Sequence, residues 1–198
     1  MAKTVEFLFD VVSPTAYLAY KRLPEIAERT GAAIAWTPIF LGGIMQATGN
    51  SPPGTVPAKG QYMDRDMVRC ATRYDIPFTL NVYFPVNTLA LQRAAVAILD
   101  QAGEDTFRRF IDACFQAIWA DGANMGDPDV AGEILSAAGF DAADLLTRAS
   151  DPAIKKKLKA ITDGAVARGV FGAPTFFVGD EMYFGQDRLD YVEEALAQ

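Results

Sequence analysis

The pattern of apolar positions changes from strand to helix early in the chain. Thr4 to Phe9 is rich in β-branched and aromatic residues, which is typical of a buried strand. From Tyr17 the apolar positions follow helical spacing, and Thr30-Gly31 is a signal that ends a helix. Ala32 to Phe40 is again apolar enough for a strand. This order predicts a right-handed βαβ unit with its helix over about residues 13–30.

The middle of the chain is predicted to be helical. It begins with a Gly/Pro-rich segment, residues 42–60, that is longer than a connection needs to be and too punctuated in its middle for regular structure. Long loops of this kind usually carry function or are mobile. Helical periodicity then predicts helices over 57–75, 88–101, 104–120, 128–138, 141–150 and 151–168. An all-helical block therefore separates the second strand from the third.

Near the C-terminus the pattern is strand, tight turn, strand, turn and helix. Gly179-Asp180 joins two apolar runs as in a β-hairpin, and Gln186-Asp187 opens the last helix, where Asp187 adds negative charge or a cap. Pro174 precedes the first of these strands, a position where its nitrogen need not donate to the ladder. The order of elements at the two ends of the chain is that of a thioredoxin fold.

Ser13 lies where the first strand gives way to the first helix. It is the predicted N-cap, and Pro14 is the first helical residue, a position that suits its fixed φ and its missing N–H. The serine hydroxyl is thus held among unpaired backbone N–H groups, at the positive end of a helix where an anion is stabilised. The same two residues also fit an ordinary Ser-Pro helix start without a chemical role.

Composition removes several classes of function. The chain of 198 residues contains no histidine, which excludes a Ser-His-Asp hydrolase, a His-ligated zinc hydrolase and a His general base. A formal net charge of −7 argues against general nucleic-acid binding, which needs a basic face. With no secretory pattern and no apolar run long enough to span a membrane, we expect a cytoplasmic protein. Cys70 and Cys114 stand on different predicted helices, and we expect both to be buried free thiols.

Four short segments occur in a fixed order along nearly the whole chain. They are Phe9-Asp10-x-x-Ser13-Pro14, the region from Gly49-Asn50 to Lys59-Gly60-x-Tyr62-Met63, Phe171-Gly172-Ala173-Pro174, and Gly185-Gln186-Asp187-Arg188. Together they resemble the glutathione-dependent branch of the DsbA-like thioredoxin superfamily, the kappa-class glutathione transferases and the bacterial 2-hydroxychromene-2-carboxylate isomerases. Where thioredoxins and DsbA carry Cys-x-x-Cys, this chain has Ser13-Pro14-Thr15-Ala16, so no redox dithiol can form there.

The resemblance implies an α/β protein, a thioredoxin fold with an inserted all-helical domain as in DsbA. Residues 1–41 and 151–198 would form a discontinuous thioredoxin-like domain, and residues 42–150 the linking loop and the inserted helical domain. The resemblance also implies a homodimer, and a glutathione cofactor with its sulfur at Ser13.

Further glutathione contacts are implied on three other segments. Asn50 and Lys59 would hold the polar backbone and the other charged end of the tripeptide, although loop lysines are most often simply solvated. The resemblance favours a cis Ala173-Pro174 bond, with which the Ala173 backbone can pair with the cysteinyl residue. The alternative is a trans proline at a strand start. The γ-glutamyl end would lie against Phe184, Gly185, Gln186 and Asp187. For Asp187 a plain N-cap is the alternative, and both roles can hold.

The implied activity is a glutathione-dependent isomerisation in aromatic catabolism. The thiolate adds reversibly to a 2-hydroxychromene-2-carboxylate, the ring opens, the former double bond rotates, and expulsion of the thiolate gives trans-o-hydroxybenzylidenepyruvate. The aromatic carboxylate would lie against Met45, Tyr83 and Asn87, for which core packing is the alternative. A kappa-class-like transferase or peroxidase, and a thioredoxin-fold module without chemistry, are the alternative functions.

Two residues depart from the family pattern. Thr15 stands where an aromatic or bulky residue is expected after Ser-Pro, and Met45 where some isomerases place a lysine for the substrate carboxylate. The second departure bears on which chromene is used more than on the use of glutathione.

Overall fold

The computed structural model describes residues 3–198 and contains a four-stranded mixed sheet. Its strands are β1 (Thr4–Phe9), β2 (Ala33–Pro38), β3 (Thr175–Val178) and β4 (Glu181–Phe184), in the order β2-β1-β3-β4. β1 pairs with β2 in parallel, whereas the β1–β3 and β3–β4 pairs are antiparallel. The predicted βαβ unit and the predicted C-terminal hairpin are thus confirmed.

Helices connect and cover this sheet. α1 (Pro14–Thr30) joins β1 to β2, and α9 (Leu189–Ala197) follows β4. Seven helices lie between β2 and β3 in the described part of the chain: α2 (Leu41–Thr48), α3 (Pro57–Arg73), α4 (Leu89–Gln101), α5 (Glu104–Trp119), α6 (Pro128–Ala137), α7 (Ala142–Ser150) and α8 (Pro152–Ala167). Short 3₁₀ turns occupy Pro53–Thr55 and Gln186–Arg188. The expected helical block is present, while its division into separate domains stays a prediction.

None of the helices within residues 3–198 combines the length and the apolar character needed to cross a bilayer.

α1 begins and ends where the sequence predicts. Ser13 is its N-cap, with the Oγ atom accepting a hydrogen bond from the Ala16 N–H at 3.1 Å, and Pro14 is its first residue. At the other end Gly31 adopts φ 68°, a left-handed conformation in which a residue without Cβ is not strained.

α2 is the main departure from the sequence-based expectation, since the Gly/Pro-rich segment begins with a helix. The helix is capped by distant residues: the Leu41 N–H donates to Asp10 Oδ2 at 3.0 Å, and the Phe40 N–H donates to Thr162 Oγ1 at 3.1 Å. A Cβ added at Gly42 would lie 2.8 Å from the tip of the Phe40 ring, which would have to move to accommodate it. The contacts to Asp10 and Thr162 are long-range, and local periodicity does not reveal them.

The two faces of β1 enter two different apolar clusters. Phe7 and Phe9 are fully buried and stack with ring centroids 5.0 Å apart, and Phe9 lies 5.9 Å from the Phe115 ring of α5. The intervening Leu8 points into the cluster that includes Ile44 of α2. β1 is therefore buried on both sides, and its first face joins the sheet to the helical block.

The two cysteines are free, as expected from the sequence, but the expected burial holds for Cys114 only. Cys114 on α5 is fully buried, and burial raises the pKa of its thiol, whereas Cys70 on α3 is half-buried. The Cys114 thiol is therefore held in its unreactive protonated form.

Gln92 is a fully buried polar residue on α4. Its Nε2 atom donates to the Phe9 carbonyl at 2.9 Å and to the Ile39 carbonyl at 2.7 Å, while the Val11 N–H makes a longer contact of 3.5 Å to its Oε1 atom. The Gln92 side chain thus joins the carboxyl ends of β1 and β2 to the helical block. Ser13 follows β1 at this same end of the sheet.

Replacing this amide is expected to destabilise the fold. Gln92→Leu should lower the free energy of unfolding by about 1–3 kcal/mol, because buried carbonyl groups lose a donor that water cannot replace. The same substitution at Gln61, exposed on α3, should stay within about 0.5 kcal/mol of the wild type. Urea unfolding of both variants tests this, and equal stabilities of the two would contradict it.

Candidate active site

The turn from Asp10 to Ser13 is held by buried hydrogen bonds. The Ser13 N–H donates to the Asp10 carbonyl at 3.0 Å, and the Val12 N–H donates to Asp10 Oδ1 at 3.1 Å. The Trp119 indole N–H, at the end of α5, donates to the Val11 carbonyl at 2.8 Å. The position of Ser13 is thus fixed by the sheet, by the turn itself and by the helical block.

Asp10 is a fully buried carboxylate to which three donors point. Besides the Val12 N–H, the Leu41 N–H contacts Oδ2, and the Thr88 hydroxyl contacts Oδ1 at 2.7 Å. Burial raises the pKa of this carboxyl above its ordinary 3.8, although all three hydrogen bonds act in the opposite direction. The same side chain therefore binds together the β1–α1 turn, the start of α2 and the start of α4.

The Ser13 hydroxyl lies in a close group of three oxygen atoms. Its Oγ atom is 2.9 Å from Thr15 Oγ1 and donates to the Ala173 carbonyl at 3.1 Å, and Thr15 Oγ1 is 3.2 Å from the same carbonyl. Ser13 is only 5% exposed, and Thr15 is half-buried. The hydroxyl predicted from the sequence is therefore held at the start of α1, against the segment that precedes β3.

That segment carries the expected cis peptide bond between Ala173 and Pro174. The Gly185 N–H donates to the Pro174 carbonyl at 3.0 Å, and the Phe184 ring packs over Gly172, where an added Cβ would lie 2.8 Å from it. Two of the expected glutathione-binding segments therefore lie side by side, and the Ser13 hydroxyl contacts the first of them.

Asn50 brings the loop after α2 to the same region. Its Nδ2 atom donates to the Phe171 carbonyl at 2.8 Å, and its Oδ1 atom accepts from the Ser51 N–H at 2.8 Å. The side chain is thus oriented, and one of its two amide hydrogens is left for another acceptor. Lys59 lies exposed in the first turn of α3 and has no salt bridge within residues 3–198.

Asp187 is exposed and lies inside the 3₁₀ turn that precedes α9. Its carboxylate pairs with Arg188 Nη1 at 2.8 Å instead of capping α9. Gln186 beside it is buried, with Nε2 at 3.6 Å from Cys70 Sγ on α3. Asp187 therefore offers a surface carboxylate next to the Gly185 backbone.

The expected substrate-contacting residues occupy two places. Met45 is half-buried on α2 and packs against the apolar cluster around Leu8, so core packing explains it in part. Tyr83 and Asn87 are exposed on the loop between α3 and α4. That loop borders the Ser13 turn, because Phe84 packs on Trp119 with ring centroids 5.6 Å apart and Thr88 contacts Asp10.

Four supporting residues are not identified by the sequence patterns. Gln92, Thr88 and Trp119 hold the turn from outside it, and Thr15 shares the Ala173 carbonyl with Ser13. The sequence contains a weak signal for two of them: Gln92 is a polar residue within the apolar run of α4, and Thr15 departs from the family pattern. Thr88 and Trp119 have no local signal.

The order of elements, the serine at the start of α1 and the Ala-Pro segment before β3 define a thioredoxin-type protein without a redox dithiol. The DSBA-like thioredoxin domain matches residues 4–197, and the chain belongs to this family.

Its relatives include two kinds of enzyme. A 2-hydroxychromene-2-carboxylate isomerase of Sphingobium xenophagum is 35% identical over 198 residues, which are 99% of each chain. The human glutathione S-transferase kappa 1 is 26% identical, over 100% of this chain and 92% of that one. A solved structure of a 2-hydroxychromene-2-carboxylate isomerase matches with a TM-score of 0.86 and 29% identity, over 98% of this chain and 94% of that one. The resemblance and the fold class inferred from the sequence are thus confirmed.

The buried carboxyl makes a pH-dependent contribution to stability. Because its pKa is raised on folding, Asp10 holds its proton more tightly in the native protein than in the unfolded chain. Its contribution is therefore fully present below its ordinary pKa of 3.8 and is lost as the pH rises through the native pKa. The free energy of unfolding of the wild type relative to Asp10→Asn should fall over this range, by about 1.4 kcal/mol for every pH unit that separates the native pKa from the ordinary one.

Urea unfolding at a series of pH values measures this difference. The same substitution at Asp180, exposed in the β3–β4 turn, controls for the loss of one negative charge. A difference between wild type and Asp10→Asn that stays constant from acidic to alkaline pH would show that the Asp10 carboxyl does not titrate as described.

Proposed function

We propose that this protein is a glutathione-dependent isomerase that acts on a 2-hydroxychromene-2-carboxylate. One observation carries the proposal: the Ser13 hydroxyl is held at the N-terminus of α1, in contact with the Ala173 carbonyl, in a chain that contains no histidine. Full-length relatives named as isomerases of this type support the same choice of substrate.

Ser13 is suited to hold a thiolate and poorly suited to act as a nucleophile. Its described partners are a backbone N–H, a carbonyl and another hydroxyl, and none of these can take its proton. A hydrogen bond to a charged group is worth roughly 1.5–3 kcal/mol, and a helix N-terminus adds about 0.3–1 kcal/mol. Together they would lower a thiol pKa of about 8.5 by about one to three units. Bound glutathione would then be largely thiolate near neutral pH.

The rest of the tripeptide can be accommodated by the neighbouring segments. The Ala173 backbone would pair with the cysteinyl residue, while the backbone of Gly185 and Gln186 and the carboxylate of Asp187 would receive the γ-glutamyl end. Asn50, oriented by the Phe171 carbonyl, has an amide hydrogen left for the ligand. Lys59 would supply a local positive charge for a carboxylate, which a chain with a net charge of −7 requires.

The proposed reaction needs no acid–base residue of the hydrolase type. Bound glutathione, with its sulfur held by Ser13, would supply a thiolate for reversible addition to the substrate. This chemistry would let the ring open and the former double bond rotate, so that the trans isomer is released together with the unchanged thiolate. Glutathione is regenerated in each turnover and is therefore a cofactor. Met45, Tyr83 and Asn87 would contact the aromatic carboxylate.

A kappa-type glutathione transferase is the second candidate, favoured by the full-length kappa-class relatives. It would share all the glutathione contacts and differ only in the electrophile. The homodimer and the cytoplasmic location expected from the sequence stay predictions.

Removing the Ser13 hydroxyl should impair the thiolate while leaving the fold intact. In Ser13→Ala the pKa of the bound glutathione thiol should rise by about one to two units, and turnover near neutral pH should fall correspondingly. The lost helix cap should cost only about 0.5–2 kcal/mol of stability. Ser136→Ala, at an exposed position on α6, serves as the control. Unchanged activity near neutral pH in Ser13→Ala would contradict the role of Ser13.

The fate of glutathione separates the two activities. With a 2-hydroxychromene-2-carboxylate we expect conversion to the trans product at constant total glutathione. With chlorodinitrobenzene, a transferase would consume glutathione in proportion to the conjugate formed. Conjugation without isomerisation would favour the kappa-type function, and calorimetry that shows no glutathione binding at millimolar concentration would count against both.

A further inference from the structure

Thr15 places a second hydroxyl beside Ser13, and the proposed reaction gives this hydroxyl no role. Its Oγ1 atom lies 2.9 Å from Ser13 Oγ and 3.2 Å from the Ala173 carbonyl, and Ser13 Oγ lies 3.1 Å from that carbonyl. Three oxygen atoms therefore share two hydroxyl protons. The direction in which each proton points decides whether Ser13 can serve a ligand.

The Ala173 carbonyl competes with a ligand for the Ser13 proton. A serine hydroxyl has one proton, and the Ala173 oxygen lies within its reach, 3.1 Å from Ser13 Oγ. Ala173 is only 8% exposed, so a carbonyl abandoned by Ser13 would be poorly solvated, which is unfavourable. Turning the Ser13 proton toward a sulfur atom is thus opposed unless another donor replaces it.

We propose that Thr15 is a positioning residue, which donates to the Ala173 carbonyl and thereby leaves the Ser13 hydroxyl free to donate to the glutathione sulfur. Ser13 Oγ keeps its orientation in this arrangement, because it still accepts from the Ala16 N–H. A carbonyl oxygen has two lone pairs, so the Ala173 oxygen can accept from Thr15 and from the cysteinyl N–H of glutathione together. This inference rests on the proposed function, since it requires a thiolate at Ser13.

The position of Thr15 suits this role. It is the second residue of α1, and its β-branched side chain has few rotamers, which favours the observed position of Oγ1, 3.2 Å from the Ala173 oxygen. Asp10 is the one ionisable residue among residues 10–15, and its carboxylate contacts Val12, Leu41 and Thr88 and neither of the two hydroxyls. A change at Thr15 should therefore act on Ser13 and leave the buried carboxyl as it is.

The test is a set of matched variants at the two positions. Thr15→Val removes the hydroxyl and keeps the shape of the side chain. Thr15→Ala removes both the hydroxyl and the methyl group, and Thr15→Ser retains the hydroxyl. In each complex with glutathione, the ultraviolet absorbance of the thiolate is followed against pH, and thermal unfolding checks the fold. The series is completed by Ser13→Ala and by the double variant Ser13→Ala/Thr15→Val.

We expect the two hydroxyl-free variants at position 15 to raise the pKa of the bound thiol by about 0.5–1 unit, the effect of one neutral hydrogen bond. Thr15→Ser should match the wild type. In the Ser13→Ala background Thr15→Val should cause no further rise in this pKa, because Thr15 acts through Ser13. A wild-type pKa in Thr15→Val and Thr15→Ala, or an equal rise in the Ser13→Ala background, would overturn the role of Thr15.

The same series separates this inference from the proposed function. If Ser13→Ala raises the thiol pKa and the Thr15 variants do not, the role of Thr15 is wrong and the thiolate site stands. If Ser13→Ala leaves the pKa unchanged, or glutathione does not bind to the wild type, both are wrong.

Discussion

The rest of the site depends on the hydrogen bonds that the buried Asp10 side chain accepts. A buried carboxyl group is stable only when hydrogen-bond partners surround it. Val12 in the same turn supplies one donor, and Leu41 and Thr88, which are distant in sequence, supply the other two. Loss of any of these donors would leave a buried carboxyl oxygen without a partner, so the three segments are tied to one arrangement. These hydrogen bonds hold the turn that carries Ser13 in place.

The helical block is therefore part of the site and not only an addition to a thioredoxin core. Thr88 and Gln92 come from the start of α4, and Trp119 from the end of α5, and all three contact the Asp10–Ser13 turn or the strand before it. In a thioredoxin-type protein with two cysteines, chemistry can reside in the dithiol. Here the serine offers only a directed hydroxyl, and the groups that direct it come from both parts of the fold.

Much of the fold could be predicted from the sequence, because its signals are local. The Ser13 cap, the Gly31 helix end and the β3–β4 hairpin depend on residues that are neighbours in the chain. α2 could not be predicted in this way, because its caps, Asp10 and Thr162, lie far away in sequence.

The candidate site divides in the same way. The sequence indicates the segments that meet around Ser13, and the structure brings the Ala173 and Asn50 segments together there. The sequence does not reveal which buried polar groups orient these segments, because a hydrogen bond between distant residues produces no periodic pattern. Thr15 illustrates the limit: the sequence marks it as an unusual residue, but the oxygen atom of Ala173 that it contacts lies far away along the chain.

The indole of Trp119 gives the molecule a built-in optical probe. The chain has two tryptophans, and the Trp119 N–H is bonded to the Val11 carbonyl two residues before the serine, while Trp36 is bonded to Glu104. Indole emission responds to such a bond and to the packing of the ring. Fluorescence from Trp119 can therefore follow events at the serine without a label, and Trp36→Phe would isolate that signal.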